Sequence, residues 1–370
     1  MTGHLHTVDL PVTDAQLREM EQPIRRTMQE IFPDLSPEER EFIKTGITPD
    51  EWQGEPAPLR EDVAAAIAMQ RAAGRTVVGY AGSMGLPNAL DVLLDVLDTG
   101  HHVLVEKPLC TTVAHCDDVV QAAQRSADRF PDRVVWMGLE YRFMPPTAAV
   151  LHEIRSGAVG EVHMVAIREH RFPFLKKVND WNRFNRNTGG TLVEKCCHFF
   201  DLMNLIVQRP PLRVLASGAQ DVNHLDERYD GEVPDILDNA YVIVEYAGGV
   251  RAMLDLCMFA EASKNEQEIS VVGDTGKVEA LVTEGVIRVG RRADGIGSFT
   301  ERPVGDDSVR HVGLHHGASY LEHVALRDAV LHGRPAAVTL TDGLWSVAVG
   351  EAAHRSIELG RAVELAEVLP

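Results

Sequence analysis

Two short segments carry side chains whose types and spacing suit proton transfer. Val103-Leu104-Val105-Glu106-Lys107-Pro108 places a lysine just past the C-terminal end of an apolar strand. Far downstream, Gly189-Gly190-Thr191-Leu192-Val193-Glu194-Lys195-Cys196-Cys197-His198-Phe199-Phe200-Asp201 sets Glu194 and His198 on one face of a predicted helix. Brought together at the edge of a parallel sheet, where α/β folds keep their ligands, Lys107, Glu194 and His198 make an acid–base cluster. Partial burial lowers a lysine's pKa toward the useful range. Glu194 can hold the His198 ring and stabilise the imidazolium, with Asp201 competing for the same ring. The structural alternatives are a surface lysine, a core histidine and an ordinary helical contact worth about 0.2–0.5 kcal/mol.

Asp180-Trp181-Asn182-Arg183-Phe184-Asn185-Arg186-Asn187 runs into the glycine pair. Trp181, Asn182, Arg183, Arg186 and Asn187 form the kind of set that binds polyols: planar multi-donor groups for hydroxyls, an aromatic wall for C–H faces. A polar surface loop is the alternative. Gly189-Gly190 lets backbone approach a ligand and exposes a helix N-terminus. His311, His315 and His316 have spacing for metal ligation, but no nearby carboxylate or cysteine completes a set, so no metal is expected. Cys196 and Cys197 read as small core residues.

The elements that must position these residues change style along the chain. Residues 1–75 read as helical, with starts at Thr13 or Asp14, at Ser36-Pro37-Glu38-Glu39 and at Thr48-Pro49. From 76 to 147 strands and helices alternate, which predicts a parallel sheet. The strands are 76–80, 102–105 and 134–138, and the helices are 88–98 and 111–125. From 148 to 370 an α+β region follows. Strands are expected at 162–168, 241–246, 250–258, 268–272 and 278–281, with closing helices at 318–331 and 341–359. The fold class is therefore α/β plus α+β: a Rossmann-like parallel sheet, then a domain with a large, mostly antiparallel sheet.

A net charge of −19 argues against nucleic acid or an anionic membrane as partner. No apolar run is long enough to span a bilayer, and the N-terminus has no secretory pattern. Five cysteines without a CxxC pair read as reduced thiols in a cytoplasm.

Taken in order, Glu106-Lys107-Pro108, Tyr141-Arg142-Phe143 with Pro145, Gly189-Gly190…Glu194…His198, Asp238-Asn239-Ala240 and Gly273-Asp274-Thr275-Gly276 resemble the Gfo/Idh/MocA family over roughly residues 90–370. The resemblance implies an N-terminal Rossmann domain and a C-terminal sheet used for dimer or tetramer contacts. It also implies NAD- or NADP-dependent redox chemistry at a carbinol carbon of a sugar, sugar acid or cyclitol. By position, Lys107 would lie beside nicotinamide and substrate hydroxyl, with Glu106 and Pro108 at the cofactor, and His198 would be the general acid/base. Glu194 stands where the family usually has Asp, and Tyr141 and Arg142 fall among the substrate contacts.

The sequence departs from the family at its start, where no G-x-G-x-x-G turn exists. The nearest candidate, Gly79-Tyr80-Ala81-Gly82-Ser83-Met84-Gly85, has different spacing. Since it follows a strand and precedes a helix, Gly82 and Gly85 are the candidate phosphate contacts. The first mononucleotide-binding half reads as replaced by helices. Two functions remain open at this level. One is a dehydrogenase or reductase; the other is a non-redox descendant, a sugar-binding or regulatory protein or a cofactor-free lyase or isomerase.

Overall fold

The computed structural model describes residues 78–81, 89–310, 312–313 and 315–370. The expected helices of 1–75, Gly82, Gly85 and His311 lie outside the described residues.

Three strands form the first sheet, all parallel and in chain order: β1 (Val78–Ala81), β2 (His102–Glu106) and β3 (Val135–Gly138). Val103, Leu104 and Val105 are a continuous apolar run because the central strand is covered on both faces. Helix α1 (Ala89–Leu97) and helix α2 (Val113–Ala127) make the crossovers. Thr112 caps α2, its hydroxyl accepting from the His115 amide at 3.3 Å.

A short 3-10 turn, Glu140–Phe143, and helix α3 (Pro145–Arg155) lead to β4 (Val162–His170). Strand β4 sits near the middle of a nine-stranded sheet with β5 (Pro211–Ala219), β6 (Asn239–Tyr246), β7 (Arg251–Cys257), β8 (Gln267–Gly273), β9 (Gly276–Leu281), β10 (Val286–Arg291), β11 (Thr300–Pro303) and β12 (Val363–Glu364). Its order is β11-β10-β9-β8-β4-β7-β6-β5-β12, and every pairing is antiparallel except β4 with β7. Strand β7 alternates cleanly, with Ala252, Leu254 and Leu256 buried and Arg251 and Met253 exposed.

The stretch holding Glu194 and His198 departs from expectation. It is not one helix but short turns α4 (Asn185–Thr188) and α5 (Thr191–Glu194), a break at Lys195-Cys196, then α6 (Cys197–Val207). The Cys196 amide reaches back five residues to the Thr191 carbonyl at 3.2 Å, and the ladder restarts with Phe200 donating to Cys196 at 3.0 Å. The break turns Lys195 inward, where it is 5% exposed.

Helix α7 (Ala318–His332) precedes α8 (Leu340–Leu359), which opens on a Thr339/Asp342 capping box. The chain at α8 ties the parts of the molecule together. Just before it, the Val338 carbonyl accepts from Met137 of β3 at 3.1 Å. Along it, Glu351 accepts from the Val113 amide at 2.9 Å, His354 from Leu192 at 3.1 Å, and Ser356 from Ala216 of β5 at 2.9 Å. Gly350 packs against the Leu192 backbone, where a Cβ would lie 2.5 Å from the carbonyl oxygen.

Candidate active site

Strand β2 ends at Glu106, and Pro108 cannot donate to a continuing ladder, so Lys107 leaves the sheet at its C-terminal edge. Its Nζ donates to Glu194 Oε1 and to the Glu194 carbonyl, each at 3.0 Å. A cation suits that carbonyl, which ends the α5 turn without an intrahelical partner. Burial disfavours the charged Lys107, but Glu194, Cys197 and Tyr141 together outweigh it, and the ammonium is held above its ordinary range. The expected lowering of Lys107 by burial is thus corrected: the adjacent carboxylate wins. Glu194 is held down in turn, its own burial being outweighed chiefly by Lys107.

His198 lies in the first turn of α6 and is 2% exposed. Its ring stacks on Tyr141, with centroids 3.9 Å apart and planes 6° from parallel. Its Nδ1 is buried and has no hydrogen-bond partner. Burial, then Lys107, Lys195 and His315, push the imidazole well below its ordinary pKa, so it rests neutral. The expected Glu194–His198 hydrogen bond is replaced by Glu194–Lys107, and the helix is broken between the two residues. Asp201 does not compete for the ring either: it is bound by Arg142, whose Nε donates to Oδ2 at 2.7 Å.

Behind His198 runs a buried polar chain. Lys195 Nζ donates to Tyr141 Oη at 2.8 Å and pairs with Glu169 Oε1 at 2.8 Å. Arg171 pairs with Glu169 at 3.4 Å and with Glu266 at 3.2 Å, and Gln267 Nε2 donates to Glu169 Oε2 at 3.4 Å. Gln267 Oε1 is buried without a partner. On the other side, His315 pairs with Glu140 at 2.5 Å and meets the Tyr141 ring edge-on. The expectation left these residues out except His315 and Tyr141. The run Arg168-Glu169-His170-Arg171, where the apolar alternation of β4 stops, was their available signal.

The other expected substrate contacts mostly serve the fold. Arg142 is 9% exposed and is spent on Asp201, Asp342 and the Ala337 carbonyl. Arg183, 1% exposed, donates to Glu227 at 2.7 Å, and the buried Asn182 donates to the Leu175 carbonyl at 3.0 Å. Arg186 bridges to Glu232 at the surface, and Asn187 donates to the carbonyl of half-buried Trp181 at 2.9 Å. The loop between β5 and β6 clasps this segment: Asp235 accepts from the Asn185 amide at 2.7 Å. Gly189 and Gly190, at φ 76° and 86°, admit protein rather than ligand. A Cβ on them would lie 2.6 Å from the Thr111 carbonyl oxygen and 2.3 Å from His354 Nε2. Glu106 accepts from the Lys107 amide at 3.3 Å, and Pro108 follows at the sheet edge. Among the described residues no three His, Cys, Asp or Glu side chains gather as a metal set.

Comparison with known proteins accords with this geometry. The oxidoreductase-family model for the C-terminal alpha/beta domain of Gfo/Idh/MocA proteins matches residues 152–365, and its NAD-binding Rossmann-fold model matches 86–131. A myo-inositol 2-dehydrogenase of Thermotoga maritima is 27% identical over 277 residues, spanning 72% of this chain and 74% of that protein. An inositol 2-dehydrogenase of Rhizobium meliloti is 27% identical over 230 residues, 62% of this chain and 64% of that protein. In fold, the chain is similar to a levoglucosan dehydrogenase solved with NADH and levoglucosan, at TM-score 0.66 and 17% identity, covering 84% of this chain and 88% of that one. An oxidoreductase domain protein of Kribbella flavida matches at TM-score 0.66 and 19% identity, over 82% and 88% of the two chains.

Proposed function

The chain belongs to the Gfo/Idh/MocA oxidoreductase family, and from that premise we propose that it removes hydride from a carbinol carbon of a neutral sugar or cyclitol, with Lys107 and His198 at the reacting centre. The observation that carries the reading is a neutral His198, its Nδ1 without a hydrogen-bond partner, beside a charged Lys107.

These residues fit a nicotinamide-linked reaction at the end of the site where the proton moves. When bound, NAD or NADP supplies the hydride acceptor. His198 takes the hydroxyl proton, which a neutral imidazole can do without first shedding one. Two Lys107 N–H groups donate to Glu194, which leaves the third to meet a developing alkoxide. Glu194 keeps that ammonium charged and fixed. Because His198 rests neutral, the free protein already holds the protonation state that alcohol oxidation requires at neutral pH. The five unpaired thiols support a reducing, cytoplasmic setting.

Substrate class follows from charge. Among the described residues the cations around the site already have carboxylates: Lys107 has Glu194, Lys195 has Glu169, Arg171 has Glu169 and Glu266, and His315 has Glu140, with Lys177 also acting on Glu194. A substrate carboxylate would have to compete with these partners. The test is nicotinamide reduction by the purified protein with a panel of cyclitols, aldoses and their uronates, beside calorimetric titration with NAD and NADP. The expected result is turnover of a neutral polyol, with kcat/KM at least about tenfold above the matching acid, since an unpaired buried carboxylate is strongly disfavoured. A well-folded protein that binds neither nucleotide sinks the dehydrogenase reading; a preference for uronates sinks the substrate class.

We further infer a homo-dimer or homo-tetramer built on the open face of the large sheet. Leu215, Ile243 and Met253 stand side by side across β5, β6 and β7, with Tyr241 and Met164 beside them, all exposed. Such an apolar face fits a second copy of itself. Light scattering at micromolar concentration should give a multiple of the chain mass, and Ile243→Glu with Tyr241→Glu should reduce it to one chain. A monomeric parent protein refutes the assignment.

A further inference from the structure

We propose that Lys195 is a positioning residue for proton transfer: through Tyr141 it fixes the orientation and electrostatic surroundings of His198, with Glu169 as its counter-charge. The proposal rests on the reading of His198 as proton acceptor.

Lys195 occupies the break between α5 and α6, three residues before His198. An uninterrupted helix would carry it around the axis to a different direction, about 100° per residue. The break instead sends its ammonium into the protein, where it hydrogen-bonds to Tyr141 Oη and forms an ion pair with Glu169 Oε1. The same ammonium lies 5.2 Å from the Tyr141 ring centroid and 5.5 Å from that of Phe199. Tyr141 is thus held at both ends, its hydroxyl by Lys195 and its face by His198. A buried phenol held this way cannot swing, so the imidazole stacked on it keeps one ring plane.

The imidazole is also bracketed by charge. Lys107, in the turn after β2, and Lys195, bound to the Tyr141 hydroxyl, both act on it. His315, paired with Glu140, approaches from the segment before α7. Glu194, Cys197 and Asp201 lie on its own stretch of chain, but Glu194 is engaged with Lys107 and Asp201 with Arg142. Glu169 from β4 lies beyond Lys195, and its partners Lys195 and Arg171 absorb its charge. Burial is the largest influence keeping the imidazole uncharged, and the two lysines add to it.

The experiment follows the His198 ring proton signal by NMR across pH, assigned by its loss in His198→Asn, and in parallel the pH profile of kcat/KM. In Lys195→Met, the His198 titration and the acid limb should both move to higher pH, so activity is lost more at acid than at alkaline pH. KM should stay within about twofold, because no substrate contact is removed. Lys195→Arg, which keeps the charge, should restore the parent titration. If Lys195→Met does not fold, Lys195→Gln takes its place, keeping a donor for Tyr141 without the charge. An unmoved His198 titration in a folded neutral variant overturns the proposal. A moved titration with an unmoved acid limb retains the Lys195 coupling and removes His198 from the chemistry, so the two failures read differently.

Discussion

His198→Asn should lower kcat by about 10³-fold, within the 10²–10⁴ range of a lost general base, while nucleotide binding changes by less than about tenfold. Asparagine is neutral like the resting imidazole and close enough in size to leave no large void against Tyr141. The loss therefore reports proton transfer rather than collapse. The pH profile sharpens the test. The His198 pKa is depressed in the folded protein, first by burial and then by Lys107, Lys195 and His315. Activity that depends on the neutral ring is present above that lowered value and disappears as pH falls through it. The residual activity of the variant should lack this acid limb. Retained turnover, with the limb intact, would place the proton acceptor elsewhere. The same sign governs stability: a histidine buried neutral must charge in acid, so the folded state weakens as pH drops through the unfolded value of about 6.5.

The second large effect is on stability. Arg142→Ala should destabilise the protein by about 3–5 kcal/mol, the typical penalty for stranding a buried charge. Arg142 holds Asp201 on α6, Asp342 on α8 and the Ala337 carbonyl, so its loss strands Asp201, which is 1% exposed. Burial already pushes the Asp201 carboxyl up to about 6 against the pull of Arg142. Without the guanidinium it rises further. A carboxyl with a raised folded value is least harmful when protonated, so the deficit should be smallest in acid and grow as pH rises through 6 and above. Adding Asp201→Asn should recover part of the loss, and a double-mutant cycle in urea measures how much. Below the melting range, KM for the polyol should be unchanged. An unaltered denaturation midpoint with a raised KM would return Arg142 to the substrate site.

What could be read in advance divides along physical lines. Strands β2 and β7 and helices α2 and α8 were legible because burial is two-sided, alternating or capped there, and each pattern has its own period. Strand β5 was missed because small or polar residues occupy much of it, and only Pro211, Val214 and Ala216 are buried. Strands β10 and β11 were missed because a charged edge, with Arg288 paired to Glu301, hides the alternation. At the site, Lys107 and His198 were visible as residue types out of place in apolar surroundings. Their wiring was not. Whether Glu194 meets His198 or Lys107 depends on a helix break at Lys195-Cys196, which carries neither glycine nor proline to announce it. The Asn/Arg-rich segment 180–187 was ambiguous for a related reason: multi-donor side chains serve a loop's carboxylates and carbonyls as readily as a ligand's hydroxyls.

Helix α8 has a bearing on how the molecule is born. A chain emerging from the ribosome delivers β1, α1, β2, α2 and β3 early and can pair them at once. Yet the Val113 amide finds its acceptor only on Glu351, and Met137 only on Val338. Until those last residues emerge, neither of these hydrogen bonds can form, and at about 5–20 residues per second that wait lasts many seconds. Through that interval the nascent chain lacks two of the contacts that fix the parallel sheet in the finished protein, so the sheet completes its anchorage only near the end of synthesis.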